Sequence, residues 1–161
     1  MAAQAFQDRY EDDLSHCYGC GRLNEQGLQI KTVWEGEESV TRFTPRPWHI
    51  AVPGIVYGGL LASLIDCHGT ATAAAAAARS RELPDSSLLP RFVTGSLKVS
   101  YLRPTPLGPE LEIRGRVREV KGRKVVVDAT VSVGGEVCVR GEVLAVEMPE
   151  ALRPRSVPPS R

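Results

Sequence analysis

The clearest hydrophobic pattern lies in the middle of the chain. Five residues recur at helical spacing and form one continuous apolar stripe: Leu60, Leu61, Leu64, Ile65 and His68. A glycine-rich segment, residues 53–59, precedes the stripe, and small residues follow it up to residue 79. The pattern predicts one long helix that begins close to residue 59, with Asp66 at the edge of the stripe.

Elsewhere apolar and polar positions alternate, which is the period of β-strands. The alternation predicts strands over residues 28–34, 39–43, 91–102, 111–117, 125–133 and 137–146. Gly95 interrupts the apolar face of the third strand and predicts a β-bulge or a close approach by a ligand or another backbone. Because the pattern contains no second helix, the sheet must wrap the first one. We therefore expect an α+β fold in which a curved antiparallel sheet of about five to six strands surrounds a long central helix.

The length of 161 residues fits one domain. We expect it to span residues 15–147, between a flexible N-terminal segment, residues 1–14, and a disordered tail rich in proline and arginine, residues 148–161. The formal net charge is +1, so charge predicts neither a nucleic acid nor a membrane surface as partner. The N-terminus lacks the pattern of a signal peptide, and we expect a cytoplasmic protein with four free cysteines.

Cys17 and Cys20 form a Cys-x-x-Cys pair next to His16. Such a pair invites a zinc interpretation, but a structural zinc site has four ligands, usually arranged as two spaced pairs. The sequence contains no second Cys-x-x-Cys and no His-x-x-x-His. We therefore expect no metal here and interpret the segment as a glycine-bearing turn.

Asp66 is the residue that most strongly indicates chemistry. It is charged and lies in a largely apolar helix, and no lysine or arginine occurs from residue 59 to residue 78 to pair with it. Such a position is costly unless the carboxylate faces a polar cavity. The alternative is a purely structural carboxylate. His68 lies about 200° around the helix from Asp66, so we expect it to pack on the stripe or to reach a neighbouring subunit.

Several segments together resemble a known family. They are residues 17–21, residues 53–59 followed by Asp66, and residues 97–104, which end in Tyr-Leu-Arg-Pro. In this order they resemble the hotdog-fold acyl-CoA thioesterases over about residues 15–147, in particular the branch of the phenylacetate-pathway and mitochondrial thioesterase-superfamily proteins. The resemblance implies an acyl-CoA substrate, no cofactor apart from the coenzyme A of that substrate, and a homodimer or a dimer of dimers with active sites between subunits.

Thioester hydrolysis needs donors for the oxyanion and a carboxylate that activates water or attacks directly. Gly58 and Gly59 can offer unobstructed N–H groups at the positive end of the helix. Asp66 supplies the carboxylate, but it lies about 10 Å further along the helix. Because both must reach one carbonyl, we expect Asp66 of one subunit to act with the glycines of another.

The resemblance also implies roles for Thr94 and Tyr57. Thr94 occupies the position of a hydroxyl residue that orients water or holds the carboxylate, although it could be an ordinary strand residue. Tyr57 replaces the histidine that the family usually has before the two glycines, and a tyrosine is a poor proton shuttle at neutral pH. This departure favours, as an alternative, a non-catalytic acyl-CoA or acyl-carrier binding protein of the same fold. A hotdog hydratase or dehydratase is less favoured.

Substrate contacts can be proposed from the same resemblance. Loop cations would bind the phosphates of coenzyme A, with candidates Arg103 and the turn Gly122, Arg123 and Lys124. Apolar residues would line the acyl pocket, with candidates Ile55, Leu60 and Leu61. For each turn residue a merely solvated charge is an equal alternative. The sequence does not determine the acyl group.

Overall fold

One long helix, α1, runs through the centre of the computed structural model, which describes residues 3–155. It spans Gly58–Ser80. Tyr57 is its N-cap residue, and at the other end the Arg81 N–H donates to the Ala77 carbonyl at 3.1 Å. The predicted helix is confirmed, with a start one residue earlier than expected.

Six strands form one antiparallel sheet around this helix. They are β1 (Thr32–Glu35), β2 (Glu38–Phe43), β3 (Phe92–Tyr101), β4 (Leu111–Lys121), β5 (Lys124–Val133) and β6 (Glu136–Glu147). Their order across the sheet is β1-β2-β4-β5-β6-β3. The α+β fold predicted from the pattern is confirmed. β1 begins at Thr32 rather than residue 28, because the N–H groups of Leu28 and Ile30 donate to the carbonyls of Tyr18 and Gly19 instead.

β3 forms one edge of the sheet and pairs only with β6 among the described strands. The pairing register shifts between Thr94 and Ser96, which confirms the bulge predicted at Gly95. Two large apolar side chains of the strand are exposed, Leu97 at 38% and Tyr101 at 54%. A long edge strand with exposed apolar side chains is a surface for pairing with another chain.

α1 is buried around most of its circumference, from Leu60 to Ala78. The prediction of a single apolar stripe is wrong in this respect, because elements other than the sheet cover the remaining faces of the helix. Helix and sheet lie very close together, since a Cβ atom on Gly69 would come within 2.5 Å of Val143. By length and composition α1 could cross a membrane, but most of it is buried inside this fold.

The N-terminal segment is one of these covering elements. Two short 3-10 helices span Phe6–Arg9 and Asp12–Leu14, and Phe6 and Tyr10 are buried in the core. Gln7 is also buried, where its side chain accepts a hydrogen bond from the N–H of Thr32 and donates one to the Thr32 hydroxyl. The prediction of a flexible segment is therefore wrong for residues 5–10, which are packed into the fold. The reason is that Phe6 and Tyr10 bury apolar surface in the same core as α1, which stabilises the packed segment.

The C-terminal segment continues from β6 along the surface. Glu150–Leu152 form a 3-10 turn without buried residues. The predicted disordered tail falls partly on residues 156–161, which lie outside the described residues.

Candidate active site

Asp66 lies on α1 and faces the start of β3. The hydroxyl of Thr94 donates a hydrogen bond to its Oδ1 atom. Asp66 is half-buried and Thr94 is exposed, so the carboxylate is reachable from the edge of the sheet. Within residues 3–155, no other side chain is hydrogen-bonded to the carboxylate. The second oxygen, Oδ2, is therefore free to accept a proton from a water molecule.

The start of α1 presents two glycines. Gly58 and Gly59 belong to the first helical turn, where N–H groups have no intrahelical acceptor. The ring of Tyr57 folds over this turn, since a Cβ atom on Gly59 would lie 2.4 Å from its Cζ and hydroxyl atoms. Glycine is thus required at residue 59 for Tyr57 to adopt this position. Tyr57 itself is 56% exposed.

Tyr101 fixes the helix start to the sheet. Its hydroxyl donates to the carbonyl oxygen of Gly58 at 2.7 Å. The sequence alone predicted no role for this residue. The signal that could have identified it was its place in the Tyr-Leu-Arg-Pro segment that supports the family resemblance.

Asp66 and the glycine turn do not meet within one chain. Gly59 and Asp66 lie on the same uninterrupted helix, and seven residues of helical rise separate them by about 10 Å. Thr94 contacts α1 at Asp66, whereas Tyr101, at the other end of β3, contacts it at Gly58. One chain therefore carries two separate candidate half-sites along the same edge.

A cavity of about 410 Å³ lies beside the helix start. Its lining includes Ile55, Gly58, Leu61, Tyr101, Leu102 and Arg103. Two of the three predicted acyl-pocket residues thus line it. Leu60 does not line it and packs in the core. Arg103 forms an ion pair with Glu136. The carboxylate partly neutralises the positive charge of Arg103.

The predicted basic turn lies at the opposite end of β3. Lys121 pairs with Lys124 around Gly122, which has a φ of +58°. Lys124 is exposed, whereas Arg123 donates from Nη2 to the carbonyls of residues 147 and 148 at 3.2 and 3.1 Å. Within one chain, the turn is therefore far from the Arg103 cavity and on the side of Asp66.

Comparison with known families agrees with this geometry. The sequence profile of the thioesterase superfamily matches residues 53–140, which contain the glycine turn, Asp66 and Thr94. The match covers more than half of the chain. The chain belongs to the thioesterase superfamily.

Relatives within the thioesterase superfamily support this assignment. A crystal structure of a superfamily protein from Shewanella loihica is 47% identical and covers 89% of this chain and 99% of its own, with a TM-score of 0.67. The PaaI protein of E. coli, from the phenylacetic acid degradation operon, covers 76% of this chain and 81% of its own with a TM-score of 0.61. At 16% identity it shows a shared fold alone.

A sequence relative carries an activity in its name. The acyl-coenzyme A thioesterase THEM4 of Bos taurus is 25% identical over 130 residues, which is 80% of this chain. The match spans only 44% of the length of that relative. The hotdog thioesterase resemblance is thus confirmed for fold and superfamily.

A second cavity of this superfamily member, about 720 Å³, was not predicted. It lies between residues 18–29 and 43–49, and the exposed Tyr18 and Trp48 are part of its lining. His49 also lines it, but its Nδ1 atom accepts the Arg46 N–H at 2.9 Å. Burial and the nearby Arg46 charge lower the pKa of His49. A neutral ring held in this way shapes the cavity wall.

His68 lies away from the site and inside the core. Its two ring nitrogens are 2.9 Å from the Ser39 hydroxyl and 2.8 Å from the Thr41 hydroxyl. Burial lowers its pKa to about 3. Of the two predicted positions for His68, packing within the chain is confirmed.

A third cysteine joins the Cys-x-x-Cys turn. Cys67 of α1 brings its sulfur to those of Cys17 and Cys20, so that the three lie within 4.8 Å of one another. His16, the other ligand considered in the sequence, is exposed and does not belong to this cluster. The count of potential ligands made from spacing alone was therefore incomplete.

Proposed function

We propose that this protein hydrolyses the thioester bond of an acyl-coenzyme A, releasing the free acid and coenzyme A. The observation that carries the proposal is the half-buried Asp66 carboxylate, which Thr94 holds through one oxygen at an exposed sheet edge. A carboxylate in this setting can act on a substrate, and membership of the thioesterase superfamily indicates which bond it acts on.

Two half-sites become one active site when a second copy pairs along β3. The edge is ten residues long and exposes Leu97 and Tyr101, which favours an antiparallel pairing with the same strand of a partner. Antiparallel pairing reverses the order of the half-sites. The Asp66 end of one chain then faces the Gly58 end of the other. We therefore infer a homodimer, or a dimer of dimers, as the active form.

The chemistry follows from these positions. The free Oδ2 of Asp66 takes a proton from water, and the water oxygen attacks the thioester carbonyl carbon. The carbonyl oxygen becomes an oxyanion, which the N–H groups of the partner's Gly58 and the partner's Gly59 stabilise together with the helix dipole. The carbon–sulfur bond then breaks, and the proton passes to the departing thiolate.

Asp66 could instead attack the carbonyl directly and form an acyl-enzyme anhydride that water cleaves. A single turnover in ¹⁸O-labelled water identifies the direct route if the label enters the Asp66 carboxylate. Direct attack places the label in the Asp66 carboxylate when water attacks the anhydride at that carboxyl carbon. Attack by activated water places it only in the released acid.

Substrate binding would use both ends of the edge. The cavity beside Ile55 and Leu61 is apolar enough for an acyl chain. Arg103 lies at its rim, and antiparallel pairing would bring the Lys124 turn of the other chain towards it. Arginine and lysine are the residues that bind phosphate groups, so this junction is the proposed site for the nucleotide end of coenzyme A.

The test is a thiol-release assay with a panel of acyl-coenzyme A substrates. Asp66→Asn keeps the size of the side chain and removes the base, and a general base contributes about 10²- to 10⁴-fold to the rate. Asp85→Asn, an exposed carboxylate in the loop after α1, is the matched control. Release by the wild type and by Asp85→Asn, lost in Asp66→Asn, supports hydrolysis.

Tyr57 is the observation that favours a second function. It takes the place of a histidine in the family pattern and covers the glycine turn. An acyl-CoA or acyl-carrier binding protein would bind the same panel without release. Hydration of an enoyl-CoA would contradict both proposals.

A further inference from the structure

Three cysteine sulfurs from two distant parts of the chain meet beside the core. Cys17 and Cys20 lie in the turn after the N-terminal 3-10 helices, and Cys67 lies on α1, next in sequence to Asp66. Cys20 and Cys67 are buried, and Cys17 is half-buried. Solvent therefore reaches the cluster from the side of Cys17.

The spacing of the sulfurs matches shared binding to one metal ion. The sulfurs of Cys17 and Cys67 are 3.9 Å apart. Two thiolates that bind one tetrahedral Zn²⁺ at about 2.3 Å are separated by about 3.8 Å. A disulfide needs a sulfur–sulfur distance of about 2.05 Å, so the cluster is not arranged as a disulfide.

The turn is built to bring its sulfurs against the helix. A Cβ atom on Gly19 would lie 2.4 Å from the Cys67 sulfur, and one on Gly21 would lie 2.4 Å from the Cys17 nitrogen. The Gly21 N–H donates to the Cys17 carbonyl at 2.8 Å. The glycines therefore let the turn bring the Cys17 and Cys20 sulfurs close to Cys67 on α1.

The surroundings also fit a metal-bound cluster. Three thiolates and one divalent cation leave one negative charge. Arg91 lies above the Tyr10 ring, 4.6 Å from its centroid, and close enough to all three sulfurs to interact with their charge.

We propose that Cys17, Cys20 and Cys67 bind one Zn²⁺ ion, with water in the fourth position on the exposed side of Cys17. Borderline-soft Zn²⁺ prefers thiolate ligands, and three protein ligands plus water is an established coordination for it. The bound ion links the N-terminal turn to α1 beside Asp66. No local pattern in the sequence predicts this link.

The experiment uses the full chain, reduced and freed of metal. Titration with Zn²⁺ against a chromogenic chelator should show about one equivalent bound per chain. Loss of an outer-shell partner weakens metal binding by up to about 100-fold. Cys17→Ala and Cys67→Ala each remove a direct ligand, so each should weaken Zn²⁺ binding by more than that. Cys138→Ala, the buried cysteine outside the cluster, is the matched control and should bind as the wild type does.

A second measurement does not depend on any variant. Co²⁺ bound to the wild-type chain should show sulfur-to-cobalt charge-transfer absorption and tetrahedral ligand-field bands, both lost on addition of Zn²⁺. The proposal is overturned if the reduced chain binds neither ion, if Cys67→Ala binds as tightly as the wild type, or if the chain takes up Cu⁺ but no Zn²⁺.

Discussion

At the scale of single residues, the contact between Thr94 and Asp66 determines how the carboxylate is presented. The Thr94 hydroxyl occupies Oδ1 and leaves Oδ2 for the water of the proposed hydrolysis. Thr94→Val removes the hydroxyl and keeps the side-chain shape. A hydrogen bond to a charged group is worth about 1.5–3 kcal/mol, so we expect kcat to fall by about 10- to 100-fold with little change in KM.

Thr94→Ser is the matched control, because it restores the donor and should recover most of the rate. A positioning role requires this rescue. If Thr94→Ser is as slow as Thr94→Val, the methyl group and not the hydroxyl matters at this position.

His68 makes the stability of the protein sensitive to acid. Burial lowers its pKa to about 3, below the value of about 6.5 expected in the unfolded chain. The unfolded chain then binds the proton more readily, so stability is lost as the pH falls from about 6.5 towards 3. Between pH 6.5 and 5.5 the wild type should lose about 1 kcal/mol of unfolding free energy through this residue.

Urea unfolding at the two pH values measures this loss. His68→Gln keeps a polar side chain but cannot titrate, and its loss should be smaller by that amount. His16→Gln, at an exposed histidine, is the control and should follow the wild type. An equal pH dependence for wild type and His68→Gln would contradict the assignment.

At the scale of elements, the close contact between α1 and the sheet predicts that alanine substitutions at two glycines of the helix have different effects on stability. A Cβ atom on Gly69 would lie 2.5 Å from Val143, which is fully buried and cannot move aside. Overpacking of this kind costs about 1–3 kcal/mol, which exceeds the gain of about 1 kcal/mol in helix propensity. Gly69→Ala should therefore lower the free energy of unfolding, as measured with urea.

Gly59→Ala is the matched comparison within the same helix. Its clash is with the far end of the exposed Tyr57 ring, which can swing away. We expect its unfolding free energy to stay within about 0.5 kcal/mol of the wild type. If both variants lose a similar amount of unfolding free energy, the narrow gap between helix and sheet is not the cause of the loss in Gly69→Ala.

At the scale of the whole molecule, the proposal of an active site shared between two chains can be tested with hybrid dimers. Gly58→Pro removes one N–H at the first helical position, where proline is well tolerated, and should lower kcat by about 10²- to 10³-fold. Asp66→Asn removes the base. When the two variants are mixed and allowed to exchange subunits, half of the dimers are hybrids with one intact site, and activity should recover to about a quarter of wild type.

Recovery requires that Asp66 and the glycine turn come from different chains. If each site belonged to one chain, the mixture would stay inactive. Leu97→Asp places a charge on the exposed β3 edge. We expect this variant to sediment as a monomer and to be inactive in the thiol-release assay. A fully active Leu97→Asp monomer would contradict the shared site.

The sequence by itself determined the elements and the candidate half-sites. Helical spacing from Leu60 to His68 and alternation in the hairpins depend on side chains within one turn or one strand, so α1, six strands and the bulge at Gly95 could be predicted. Asp66 was identifiable because a charge without a partner is costly in an apolar helix.

Tertiary structure alone decided which distant residues meet. Residues 28 positions apart form the Thr94–Asp66 hydrogen bond, which the family resemblance implied as one of two roles and no local pattern predicted. Cys67 joins Cys17 across 50 positions, which nothing in the sequence indicated. Such contacts depend on how helix, sheet and turn pack, and no local period encodes them. The same reason explains why Leu60 went to the core and why the N-terminal segment, polar in sequence, covers α1 through Phe6 and Tyr10.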